Sequence, residues 1–200
     1  MDELTDTITI RMKKSQLEEL KRMSGLKNLP LSTFVNQLFS NYLEVDRIYD
    51  KFNWIKISKT TLQLAMTKIS LKEVEQIGKH IATEFAVDFI LTKWGEISEK
   101  NIINFIKIYV KENSYGHCKI FYGSDGTIIT IQHKIGKKAS RMISSMVQEL
   151  FKGQLDKEST IVLDRNSISI LIPNHPNVRI SNATPKNIQY TWYKSGFVRQ

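Results

Sequence analysis

Thr7-Ile8-Thr9-Ile10-Arg11-Met12 alternates strictly, with Ile8, Ile10 and Met12 on one face and Thr7, Thr9 and Arg11 on the other. A period of two over six residues, rich in β-branched side chains, predicts a half-buried strand. A strand must pair its backbone donors and acceptors, yet no second strand pattern follows for about forty residues. Its partner is expected from elsewhere.

Toward the carboxyl end, Ser15-Gln16-Leu17-Glu18 has the spacing of a capping box, and Leu17, Leu20 and Met23 recur at helical intervals up to Gly25. After Lys27-Asn28-Leu29-Pro30, a second helical pattern carries Leu31, Phe34, Val35, Leu38, Phe39, Tyr42 and Leu43 on a broad apolar face. Pro30 suits such a start because a first-turn residue needs no intrahelical donor. One strand and two short helices cannot enclose a core alone. A second copy resolves both difficulties: two strands pair antiparallel, Ile8, Ile10 and Met12 fall on four helices, and a polar row stays outside. That row is narrow enough for the DNA major groove.

The β-α-α order resembles the ribbon-helix-helix family of repressors, the Arc and MetJ type, over roughly residues 6 to 45. The resemblance implies an intertwined dimer in which Thr7, Thr9 and Arg11 read bases and the start of the second helix, at Ser32 and Thr33, holds a backbone phosphate. Pro30 stands where that family commonly has a capping serine or threonine. The side-chain chemistry suits the implied roles: an arginine can pair in bidentate fashion with guanine, and a threonine can touch a thymine methyl. Lys13, Lys14 and Lys27 would add salt-sensitive phosphate attraction. The plainer alternatives are an edge strand with solvated threonines, or a ribbon that only dimerises.

Charge is distributed unevenly along the 200 residues, whose formal net charge is +9. Residues 1 to 46 sum to -1, residues 47 to 69 to +4 and residues 70 to 200 to +6, but residues 7 to 43 hold six cations and two anions. A basic balance favours polyanionic partners. The composition, 41% hydrophobic and 24% charged, excludes a wholly disordered polymer. No apolar run approaches the ~18 residues that span a bilayer, and Met1-Asp2-Glu3 lacks the character of a secretory signal. A cytoplasmic protein with no membrane partner is expected. Cys118, the single cysteine, excludes an intrachain disulfide and a multi-cysteine zinc site.

Residues 47 to 69 interleave Arg47, Lys51, Lys56, Lys59 and Lys68 with Tyr49, Phe52, Trp54, Ile55 and Ile57. Such a mixture can stack on single-stranded nucleic acid, but a packed connector is the simpler reading. Trp54 to Ile57 reads as a short strand, and Thr60 or Thr61 as the cap of a helix carrying Leu62, Leu64, Ala65 and Ile69.

Residues 70 to 172 predict an α+β regulatory or assembly domain. Ser70 to Glu73 forms a capping box, opening a long helix with Leu71, Val74, Ile77, Ile81, Phe85, Phe89 and Ile90 in helical register, ending near Trp94-Gly95. Another helix follows Ser98 with Ile102, Phe105, Ile106 and Tyr109. His117 to Tyr122 and Thr127 to His133 read as a hairpin about Gly123-Ser124-Asp125-Gly126. A helix carrying Ala139, Ile143, Met146, Val147 and Leu150 stops before Gly153, and Thr160 to Asp164 with Ser167 to Ile172 read as a second hairpin. The order α-α-β-β-α-β-β implies an antiparallel sheet.

Within it, His133, Lys134, Gly136, Lys137, Lys138 and Arg141 form a candidate anion site where a strand ends and a helix begins. Cations there oppose the positive end of the helix dipole, and no acid intervenes between Gly126 and Gln148. A bound phosphate would relieve the conflict, and a solvated basic helix start explains it more simply. The spacing is not that of a phosphate-binding P-loop. His117 and Cys118 should point to opposite sides of a strand. His80, Glu84 and Asp88 align on a helix but read most simply as a solvated stripe, and His175 falls in a loop. No metal, cofactor or catalytic residue is assigned, since no nucleophile elbow, zincin helix or dinucleotide loop is present. Residues 173 to 200 form a basic tail with Tyr190, Trp192, Tyr193 and Phe197.

The sequence thus predicts a sequence-specific, DNA-binding transcription regulator, most simply a repressor, acting on double-stranded DNA as a homodimer that can extend to a tetramer. A small effector on the distal domain is compatible with this. The rivals are an antitoxin-type autorepressor and a phosphate-ligand sensor or enzyme that uses the amino-terminal module mainly to dimerise.

Overall fold

The computed structural model describes residues 6–52 and 57–174. The chain divides into two compact units, Met1–Trp54 and Ile55–Gln200, so the break falls inside the stretch read as a connector.

The first unit is helical. α1 spans Lys14–Leu26 and α2 spans Leu31–Asn41. α2 runs on through a π-helical turn, Tyr42–Asp46, into α3, Arg47–Lys51. The predicted amino-terminal strand is absent: residues 6 to 13 carry no ladder, and Ile8, Ile10 and Met12 are exposed, Ile8 by 72%. The four strands of the described residues all lie in the second unit, beyond residue 115. A ribbon-helix-helix arrangement is therefore not the fold of this chain. The physical reason is the accounting of backbone groups: an alternating segment becomes a strand only where another edge accepts its hydrogen bonds, and the described residues of the first unit offer none. The Ser15–Glu18 capping box is replaced as well. The helix begins earlier, and Gln16 Oε1 accepts from the Lys13 amide at 3.1 Å. Phe34 is buried in this unit, with the Lys27 ammonium 5.2 Å from its ring centre.

The second unit is α+β. α4, Lys59–Lys68, is capped by Ser58, whose hydroxyl accepts from the Thr61 amide at 3.0 Å, and not by either threonine. The strand expected at Trp54 to Ile57 falls largely outside the described residues. α5, Leu71–His80, opens with the expected Ser70–Glu73 capping box. A π-helical turn, Ile81–Ala86, joins it to α6, Val87–Trp94. α7, Glu99–Glu112, starts at Ser98, whose hydroxyl accepts from the Asn101 amide. β1, Gly116–Tyr122, and β2, Gly126–His133, form the first hairpin, and α8, Lys137–Leu155, follows. β3, Thr160–Leu163, and β4, Ser167–Pro173, complete an antiparallel sheet of order β1-β2-β4-β3.

α8 passes Gly153 and stops only at Asp156 in left-handed conformation, φ 49°. A glycine is tolerated inside a helix whose two preceding turns are locked by burial of Val147, Leu150 and Phe151. On the sheet, Ile129 and Ile131 of β2 pair with Ile170 and Ile168 of β4, and all four are fully buried on the face that receives α7 and α8. α8 is buried nearly all round, because α5 and the π turn close over its other side. The approach is tight at Gly78, where a β-carbon would sit 2.2 Å from the Met142 carbonyl oxygen. Small side chains therefore recur every four residues, at Gly78, Ala82 and Ala86, all buried. Of the expected apolar row, Val74, Phe89 and Ile90 are fully buried, while Leu71 and Ile77 are exposed. Between α6 and α7, ring contacts run from Phe89 to Phe105 (5.4 Å), Tyr109 (5.6 Å) and Tyr115 (5.5 Å).

Candidate nucleic-acid interface and the basic strand-helix junction

In the first unit, Thr7, Thr9, Arg11, Lys13, Lys14, Ser32 and Thr33 are all exposed. Lys13 and Lys14 stand at the amino end of α1, Ser32 and Thr33 in the opening turn of α2, and Lys27 closes α1. The unit's two central acids are answered within their own helix. Glu19 takes two hydrogen bonds from Arg22, at 2.8 and 2.6 Å, and Glu18 faces Lys21 at 3.3 Å. The Arg22 guanidinium holds the Glu19 carboxyl below the usual range. Arg11, Lys13 and Lys14 form no ion pair among the described residues. The same unit exposes Leu26, Leu38, Phe39, Tyr42 and Leu43 beside Ile8, Ile10 and Met12. The sequence pattern had assigned most of these to a buried face.

At the junction of β2 and α8, the side chains read together as an anion site go separate ways. His133 is 3% exposed. Its Nδ1 accepts from the Ile135 amide at 3.3 Å, so Nε2 carries the proton and donates to Ser140 Oγ at 2.8 Å. The Ser140 hydroxyl in turn donates to the Asp164 carbonyl at 2.8 Å. Burial, and then the Lys59 ammonium, push the His133 pKa down, which favours this neutral form. Ser140 is 0% exposed and its proton is committed to a carbonyl, so the pair acts as a clip that fixes α8 to the loop before β4. Lys138 turns to the last carbonyls of α4 and its exit: Met66 at 2.8 Å, Thr67 at 3.3 Å and Ile69 at 2.5 Å. A charged amine there satisfies acceptors that a helix end leaves free. Arg141 pairs with Glu75 of α5, and the Lys134 carbonyl accepts from Gln63 at 2.9 Å. Lys134 and Lys137 remain exposed, and Gly136 precedes α8. Three of the six groups are thus spent on joining α8 to its neighbours.

Beside this junction lies an open cleft of about 620 Å³ lined by Leu71, Glu75, Lys137, Arg141, Leu163, Asp164 and Arg165. Two carboxylates answer three cations there, so it is close to neutral. Cys118 is half-buried, and burial lifts its thiol to about 11. No group of three or more His, Cys, Asp or Glu residues that could hold a metal ion occurs among the described residues. His175 lies outside them. No helix of the described residues is long and apolar enough to cross a membrane. Comparison with protein-family models and with curated proteins finds no match for this chain.

Proposed function

We propose that this chain is a homodimeric, cytoplasmic regulator of transcription that binds double-stranded DNA sequence-specifically through its amino-terminal unit, most simply as a repressor. The observation that carries the reading is the pairing of two exposed sets on that unit. Ile8, Ile10, Met12, Leu26, Leu38, Phe39 and Leu43 are apolar and in water, a pattern that marks an interaction surface. Interleaved with the first three are Thr7, Thr9 and Arg11, flanked by Lys13 and Lys14. A second copy covers the apolar set, and the polar set then faces the duplex from both copies. Arg11, Thr7 and Thr9 carry base discrimination. Lys13, Lys14, Lys27, Ser32 and Thr33 contact phosphates.

The test is footprinting of the purified chain on its own upstream region across a salt series, with the Arg11→Ala variant in parallel. Specific protection is expected, with log affinity falling linearly against log salt. Arg11→Ala is expected to lose about 1–3 kcal/mol of discrimination, the worth of one bidentate base contact, while sedimentation shows the dimer unchanged. Undiminished sequence-specific affinity in that variant would overturn the assignment of the arm.

A further inference from the structure

The sheet of the second unit has two faces. Ile129, Ile131, Ile168 and Ile170 fill the one beneath α7 and α8. The alternate side chains form the other, where Ile128 pairs with Leu171, and Thr130 pairs with Ser169, itself opposite Val162 of β3. Ile128, Leu171 and Val162 are half-buried, with no described helix over them. Among them Thr130 is 5% exposed, and its hydroxyl has no hydrogen-bond partner among the described residues. A buried hydroxyl without a partner is uncommon in a native protein, so this face calls for a cover that is apolar and offers at least one polar atom.

The sequence beyond β4 offers a candidate for such a cover. Beyond β4, Asn174 is pinned to the turn between β1 and β2. Its amide donates to the Asp125 carbonyl at 3.2 Å, and its side chain to those of Gly123 (3.3 Å) and Ser124 (2.9 Å). The remaining 26 residues, 175 to 200, therefore leave from one end of the sheet. Extended chain spans ~3.3 Å per residue, so this length can run the seven residues of β4 several times over. Within it, Ile188-Gln189-Tyr190-Thr191-Trp192 alternates apolar and polar side chains with a period of two, the pattern of a segment with one face against a sheet. We infer that residues 188–192 seat Ile188, Tyr190 and Trp192 on the outer sheet face over Ile128 and Leu171, with a polar group of the segment reaching the Thr130 hydroxyl. This holds whether or not the amino-terminal unit binds DNA.

The experiment is limited trypsin digestion of the full-length chain, followed by intact mass, with a synthetic peptide of residues 175 to 200 as reference. Cleavage after Lys186 and Lys194 is expected to be at least about tenfold slower in the protein than in the peptide, since cleavage tracks the undocked population. Leu171→Asp from the sheet side and Trp192→Ser from the segment side should each restore the peptide's rate. Trp192→Ser alters no residue of the folded sheet, so it decides the matter if Leu171→Asp fails to fold. Cleavage of the wild type at the peptide's rate overturns the inference. So does protection that vanishes on dilution together with a fall in sedimenting mass, which would make a second copy the cover. Protection that appears only with added DNA would overturn it too.

Discussion

At the scale of single residues, His133 shows how the second unit depends on a neutral imidazole. Its ring nitrogens are engaged in opposite senses, one accepting from Ile135 and one donating to Ser140, and a second proton would break the first contact. The folded pKa lies below the ordinary value of 6.5, so the unfolded chain binds the extra proton more readily. Stability from this group is therefore complete above pH 6.5 and lost as pH falls through that value toward the folded pKa. Thermal melts of the second unit should fall in midpoint between about pH 7 and pH 5. His133→Gln, which cannot take up a proton, should flatten that dependence while lowering stability at neutral pH by about 1–3 kcal/mol for the broken buried hydrogen bonds. A pH profile identical in wild type and variant would show that another group titrates. The sequence singled out this histidine for its basic neighbours. Its working partners, an amide two residues on and a serine one helical turn into α8, were already adjacent in the chain. What the sequence could not display was the Asp164 carbonyl that receives the serine's proton, because that contact closes only when β3 and β4 fold back.

Helices and strands were read with uneven success, and the failures share a cause. Ser70 and Ser98 were legible as caps because capping is local chemistry, settled within four residues. The hairpin around Gly126 was legible too: at φ 152°, an added β-carbon would stand 2.1 Å from the Ile172 carbonyl oxygen, so glycine is needed there. The face of α5 was read correctly at Val74 but not at Leu71 and Ile77, since which row turns inward is set by α8, more than sixty residues away. The signal lay in the small residues at Gly78, Ala82 and Ala86, spaced by four, which let two helices approach closely. Gly78→Ala should accordingly cost about 1–3 kcal/mol by overpacking, against the small gain that alanine brings to an exposed helix. Denaturant unfolding would measure it, and a stabilised variant would contradict the close approach. Lys138→Met leaves the carbonyls of Met66, Thr67 and Ile69 without their donor. It should speed amide exchange in α4 more than in α8. The amino-terminal strand failed for a related reason. Alternation at Ile8, Ile10 and Met12 records which side chains seek cover, but a ladder needs an edge, and the described residues of the first unit contain none.

For the whole molecule, the division at Trp54 and Ile55 separates two kinds of stability. The second unit encloses its own core of isoleucines, aromatic rings and the central helix α8. Among the described residues, the first buries little beyond Phe34, Val45, Ile48 and Tyr49, and leaves nine large apolar side chains of its arm and helices in water. Calorimetry should resolve two transitions. On the proposed dimeric reading, the one belonging to the first unit rises in midpoint with protein concentration and the other does not. A concentration-independent first transition would argue for a monomer. The sheet order carries a further consequence for how the chain matures. β4 slots between β2 and β3, so the middle of the sheet is made by nearly the last described residues. On a growing polypeptide, β2 must wait with one side unzipped until about forty more residues have emerged, α8 among them. Contacts that distant in sequence form slowly. A ribosome paused before Ser167 would therefore expose an isoleucine-rich seam to whatever chaperone or neighbouring nascent chain stands closest.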